Sequence, residues 1–436
     1  MDLTDAFAAA QGAWAHALAR DLWPVARSLS GPGVRQTLQR LQQDMPDLRI
    51  EQIASGTQVF DWTVPDEWTL RRAYIEDANG RRIVDTDNTN LHVVGYSEPV
   101  DVTLSRAELD AHLYSLPDQP DAVPYVTSYY KRRWGFCLPH TLRQSLPDGP
   151  YRAVVDADLR PGVLNYGELV IPRASKREIF LSTYVCHPSM ANNELSGPVV
   201  TAALARWAAT QGLHHTLRVV FIPETIGSLI YLSRHLPALQ ETMVAGFNVT
   251  CIGDDRTYSF LPSRAGDTRA DQAARHVLRH MAPDHDRYTW LDRGSDERQY
   301  CAPGVDLPVA TLMRSKYGEY PEYHTSLDDL DTVVTPSGLA GGFLALARAI
   351  AAVDQDVTLQ VTTLGEPQLG KRGLYPDVSV KGSAQDVRRM MNLISYCDGA
   401  HSLLDIADKI DAPVWDLHAL AAPLVAQGLL RNKRSA

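Results

Sequence analysis

LSTYVCHPSMANNELSGPVV, from Leu181 to Val200, decides how this chain folds and where its chemistry sits. An apolar β-type run ends on Cys186 and His187, Glu194 follows His187 by seven positions, and a Ser196-Gly197 step opens an apolar helical run. Strand, polar loop and helix in that order are how an α/β hydrolase sets metal ligands at the carboxyl ends of parallel strands.

Outward from this stretch the pattern repeats. REIFLSTYV, LRVVFIP, VAGFNVTCIG and VDLPVATLM read as strands, alternating with helical GPVVTAALARWAAT, GSLIYLSRHLPAL, DQAARHVLRHM and LAGGFLALARAIAAV. The alternation predicts an α/β core with a mostly parallel central sheet, built from residues 1–50 and 150–355. The first fifty residues are helical in pattern, with Ala8, Ala9, Trp14, Leu18, Leu22 and Val25 at helical spacing and a break at Ser30-Gly31-Pro32-Gly33.

Residues 51–149 change character. Short β-type segments and many aromatics (Phe60, Trp62, Trp68, Tyr96, Tyr125, Tyr129, Tyr130, Trp134) predict a small inserted β domain. TLRRAYIED and RRIVD flank Ala78-Asn79-Gly80, a hairpin signal. Beyond the linker LGEPQLGKRGLYPD, three helices (AQDVRRMMNLISY, SLLDIADKI, VWDLHALAAPLVAQGLL) and a basic end predict a winged-helix domain over 365–436. Its third helix carries Asp416 and His418 but no arginine or lysine, the residues base readout draws on most. Nucleic-acid binding is therefore disfavoured, and packing or self-association into a homo-oligomer is the expected role.

Composition narrows the class. The chain has 436 residues, 44% hydrophobic, enough for one large core with satellites. A net charge of −10 argues against a general nucleic-acid binder. No unbroken apolar stretch reaches membrane-spanning length, and the N-terminus lacks the basic leader of a secretion signal. Five widely spaced cysteines, an odd number, fit reduced thiols, so a cytoplasmic protein without a membrane partner is expected.

The polar residues at strand ends are the candidates for chemistry. His187 is a candidate ligand or a polar strand terminator, and Asn192, Asn193 and Glu194 can aim oxygens at a metal or cap a helix. Glu224 follows the apolar run VVFIP, as a general base would, or as a first-turn glutamate favoured by the helix dipole. Asp254 and Asp255 are ligands or solvated turn residues. Arg293, Asp296, Glu297 and Arg298 are candidate substrate or supporting groups, or a salt-bridged loop. His324 is a second candidate imidazole, with Asp328 a turn later and Glu319 and Glu322 nearby. In the insert, Tyr129, Tyr130, Arg132, Arg133 and Trp134 suit either a small ligand with an apolar body and a negative group, or an aromatic core.

Taken together, STYVCHPSMANNELSGPVV, FIPETIGS, GSDERQY and EYHTSLDDLD resemble the zinc aminopeptidases of the Aeromonas and Streptomyces type. With FDWTVP, NLHVVGYS, LPDQPD, SYYKRRWGFC and GSDERQYC, the chain resembles more closely the aminopeptidase-like branch with an inserted β domain and a C-terminal winged helix. The resemblance implies that His187 and His324 are metal ligands and Glu224 the general base. It also implies a departure, because the bridging aspartate falls on Asn193, the second glutamate on Thr225 and a further aspartate on Thr250. Two divalent ions need negative ligands. One zinc is therefore expected, held by His187, His324 and Glu194, with Asp296 in reserve. The implied activity is hydrolysis of short peptides or aminoacyl small molecules. A specialised amide hydrolase or acyl-transfer enzyme of a biosynthetic pathway, and an inactive binding or regulatory protein on the same fold, are the alternatives.

Overall fold

The computed structural model describes residues 3–374 and 383–433. The end of the expected linker, from 375, and the last of the basic tail, from 434, lie outside the described residues.

Four strands form the centre of an eight-stranded sheet: His215–Ile222, Ser175–Tyr184, Met243–Asn248 and Val309–Met313, side by side and parallel. From Ile179 to Tyr184 the second of these is buried on both faces, which is why it reads as one continuous run of apolar and small residues. The sheet as a whole is mixed but largely parallel, as expected. Val163–Ile171 and then Arg49–Ala54 add antiparallel strands at one edge, and Ser259–Leu261 lies antiparallel at the other.

Helices cover one face. Asp5–Leu22, Ser196–Thr210, Arg269–Met281 and Pro336–Asp354 share a single apolar core with the sheet. Pro336–Asp354 is long and apolar enough to cross a membrane by composition, but most of it is buried in this core. The opposite face is covered by Ile226–Thr242 and by a four-stranded antiparallel sheet of Arg82–Asp85, Glu67–Glu76, Pro150–Arg160 and Val100–Ser105. The chain thus leaves the core sheet after Ala54 and re-enters it at Val163. The expected hairpin is present: Glu67–Glu76 pairs with Arg82–Asp85, and Gly80 takes the left-handed backbone the turn requires.

The tail folds as a winged helix, with helices Ser383–Tyr396, Leu403–Ile410 and Val414–Ala426 and a sheet of Asp398–Ser402, Thr358–Val361 and Leu430–Asn432. It docks on Arg269–Met281 through polar contacts. Asp405 accepts from Gln272 at 2.9 Å and pairs with Arg269 at 3.1 Å, and Asp408 meets Nδ1 of His276 at 2.8 Å. Burial raises the Asp405 pKa, but the bonds from Gln272 and Ser402 and the Arg269 charge bring it down to about 2. A depressed carboxyl stabilises the fold above its ordinary value near 3.8, and that contribution is lost as pH falls toward 2. Thermal melts between pH 5 and about pH 2 should therefore show the wild type losing stability faster than Asp405→Asn; parallel curves would remove Asp405 from the acid response.

Candidate metal centre

Parallel pairing brings the site together. Tyr184 lies opposite Ile222, so both strands end at the same edge, and the Val185 amide donates to the Ile222 carbonyl at 2.8 Å. His187 and Glu224 then emerge side by side, with 3.5 Å between Nε2 and the Glu224 carboxylate. The chain next makes a wide π-type turn over Ala191–Leu195, a distortion frequent at functional sites. That turn swings Glu194 back onto Nδ1 of His187 at 2.9 Å. Cys186, His187 and Glu194 form a buried cluster whose donor atoms all lie within 4.8 Å, a set able to chelate one metal ion.

A buried guanidinium completes the cluster. Nε of Arg27 donates to Glu194 at 3.1 Å and to the His187 carbonyl at 2.9 Å, and Nη1 donates to the Leu22 carbonyl at 2.7 Å. Arg27 was not among the sequence candidates. Its one signal is that it carries the only charge between Asp21 and Arg35.

His324 comes from the opposite side, its ring centroid 6.1 Å from that of His187. Tyr323 stacks on it at 3.9 Å, and Tyr125 lies edge-on to both rings, 5.3 Å from His187 and 5.1 Å from His324. The two imidazoles differ in charge. Burial lowers the His187 pKa, but the negative groups around it outweigh burial and raise it well above its ordinary value. Burial and the nearby His187 charge take His324 down to about 3, which leaves it neutral with a free lone pair. Thr225, Cys251 and His324 all adopt left-handed backbone, which costs a non-glycine residue about 1–3 kcal/mol and gathers where function requires it.

The other expected residues fall into three groups. Several brace the loops. Asp328 accepts from the amides of Asn192 and Asn193 at 2.7 and 2.9 Å, and Asp254 accepts from Asn192 and Ser315. Asp296 accepts from the Thr225 amide and Ser228, and Glu297 clamps Gly294, Ser295 and Tyr317. Burial, then the Glu224 charge, pushes Asp296 up to about 7. Arg298 donates to the Thr225 hydroxyl at 2.8 Å. Two of the three positions where the resemblance implied carboxylates form a neutral network, in which Tyr184 bonds Thr250 at 2.5 Å and donates to Asn193 at 3.2 Å.

Other candidates lie away from the imidazoles. Glu322 is held by Arg256 at the surface, and Arg293 lies over Trp290. In the insert, Tyr129 is half-buried beside the site, its hydroxyl 2.7 Å from that of Tyr125, while Tyr130 and Arg132 are exposed.

Comparison with known proteins places this geometry. The family model described as a domain of unknown function (DUF4910) matches residues 16–356, and a winged helix-turn-helix model matches residues 356–432. A Clostridium acetobutylicum protein, provisionally assigned to polysaccharide biosynthesis with an aminopeptidase-like domain, is 39% identical over 394 residues, 90% of each chain. A crystal structure from the same organism, of a protein provisionally classed as a peptidase, is 36% identical and covers 98% of each chain with a TM-score of 0.93. The zinc aminopeptidase of Bacillus subtilis is 11% identical, covering 78% of this chain and 94% of its own with a TM-score of 0.57, a likeness of fold alone.

Proposed function

This chain belongs to the DUF4910 family and ends in a winged helix, and from that premise we propose that it hydrolyses small amides with the help of one divalent cation, zinc in the first place. The observation that carries the reading is His187 with a carboxylate at each ring nitrogen, Glu194 on Nδ1 and Glu224 beside Nε2. Tying the far nitrogen to a carboxylate is how proteins orient a metal-binding imidazole.

The donor set fits one ion. His324 would hold it through its neutral imidazole, and His187 would do so on giving up its proton to the incoming cation. Glu194 and Glu224 bring two negative charges and Arg27 returns one positive, so the residues that carry the site favour one cation over two. Glu194 is already committed to His187 and Arg27, and in this reading it orients the ring instead of ligating as the sequence suggested.

When bound, the ion supplies Lewis-acid polarisation of the amide carbonyl. Glu224 takes the proton of the attacking water and returns it to the leaving nitrogen. Arg298 steadies the Glu224-Thr225 turn through the Thr225 hydroxyl. Tyr125 and Tyr129 wall the imidazoles on the side of the insert, which favours small substrates over folded proteins. The neutral Tyr184–Thr250–Asn193 network favours a specialised amide hydrolase over a general aminopeptidase, because it stands where a second ion would need carboxylates. The relative's assignment to polysaccharide biosynthesis points the same way.

Metal analysis of the purified protein tests the reading. About one zinc per chain is expected, and Glu194→Gln should weaken zinc binding about 10–100-fold without abolishing it. Two ions per chain would restore the di-zinc arrangement, and unchanged affinity in Glu194→Gln would end the orienting role.

A further inference from the structure

A cavity of about 280 Å³ opens on the insert side of the site. Tyr96, Tyr129, Tyr130, Asp66, Arg132 and Leu159 line it. Tyr129 links it to the metal centre, because its hydroxyl bonds that of Tyr125, whose ring lies edge-on to both imidazoles. The hydrogen-bonded pair Tyr129 and Tyr125 therefore stands between the cavity and the proposed point of hydrolysis.

Tyr130 on its lining, and Phe60 and Trp62 on the hairpin that leads into its lining residue Thr63, are aromatic rings beside it. Tyr130 is 63% exposed and Phe60 54% exposed. Trp62 meets Tyr130 edge-on at 5.4 Å. The short hairpin Gln58–Val59 and Trp62–Thr63 holds Phe60 and Trp62 in place, with Phe60 in left-handed backbone at its tip. Exposed aromatic surface beside a cavity marks a binding site more often than a packing remnant. Charge lies next to the rings: Arg132 is 3.6 Å from Asp66 and 3.5 Å from Glu98, long and exposed pairs that are free to change partners.

We propose that this cavity binds the pyranose ring of an N-acylated amino sugar and presents its amide toward His187. The proposal rests on the amide-hydrolase reading above and names its substrate class. A pyranose has one apolar C–H face, which packs on an aromatic ring, and an equatorial belt of hydroxyls, which needs acceptors and donors such as Asp66 and Arg132. An apolar peptide side chain would use the rings and leave those charges facing hydrocarbon. The volume suits one sugar, not a chain of them. The step is simple hydrolysis, in which water adds across the C–N bond, the acyl group leaves as a carboxylic acid and the sugar keeps a free amine.

Titration of the full-length protein with N-acetylglucosamine, and with N-acetylphenylalanine for comparison, tests the assignment. N-acetylglucosamine should bind, and the Trp62→Ala/Tyr130→Ala variant should weaken it about tenfold while melting as wild type does. Preference for N-acetylphenylalanine, no binding of the sugar, or binding unchanged in a folded variant would each overturn the saccharide site. The same titration on His187→Ala separates the two readings. Sugar binding there without zinc, together with a wild type that hydrolyses no amide, would leave the cavity standing and remove the hydrolase.

Discussion

Glu224→Gln should slow amide hydrolysis about 10²–10⁴-fold and leave zinc content at the wild-type level. Burial alone would raise the Glu224 pKa. Its contact with His187 and the charges of His187 and Arg298 outweigh burial and hold it below the ordinary carboxylate range. Glu224 is thus ionised at neutral pH and able to accept a proton, whereas glutamine keeps its shape and loses the basic oxygen. Single-turnover rates and metal analysis on the same preparation separate the roles. A variant that loses zinc would make Glu224 a ligand, and one that keeps its rate would take Glu224 out of the chemistry.

Arg27→Met should cost about 3–5 kcal/mol of stability, the usual penalty for removing one partner of a buried ion pair. Both side chains of the Arg27–Glu194 pair are wholly shielded from solvent. Methionine keeps much of the volume but leaves Glu194 with only His187, and it removes a donor from the carbonyls of His187 and Leu22. The double variant Arg27→Met/Glu194→Gln should recover much of the loss, since it removes the stranded charge. Chemical denaturation of the two single variants and the double gives the coupling directly, and simple additivity would show that the pair acts independently.

The core sheet was legible for a physical reason. Its central strands are largely buried on both faces, so they appear as mainly apolar runs, interrupted in His215–Ile222 by Arg218, and the polar residues that end them are the site. His187 and Glu224 could be picked out from that placement. The edge strands could not. Arg49–Ala54 is mostly solvent-facing, and Val163–Ile171 buries Asn165 and Glu168 in an otherwise apolar strand. Glu168 is tolerated because Arg218 and Tyr231 meet it across the sheet, partners more than forty residues away.

Local period and burial were enough to give the order of the central strands and helices, the hairpin at Gly80, the helices of the winged tail and the residue types at the strand ends. Tertiary structure alone decided who meets whom. Arg27 reaches Glu194 from 167 positions away, Glu194 takes the Nδ1 side of His187 because the turn over Ala191–Leu195 is wide, and Tyr184 ties Asn193 to Thr250. Buried polar groups must find partners wherever packing places them, and that choice is made in three dimensions.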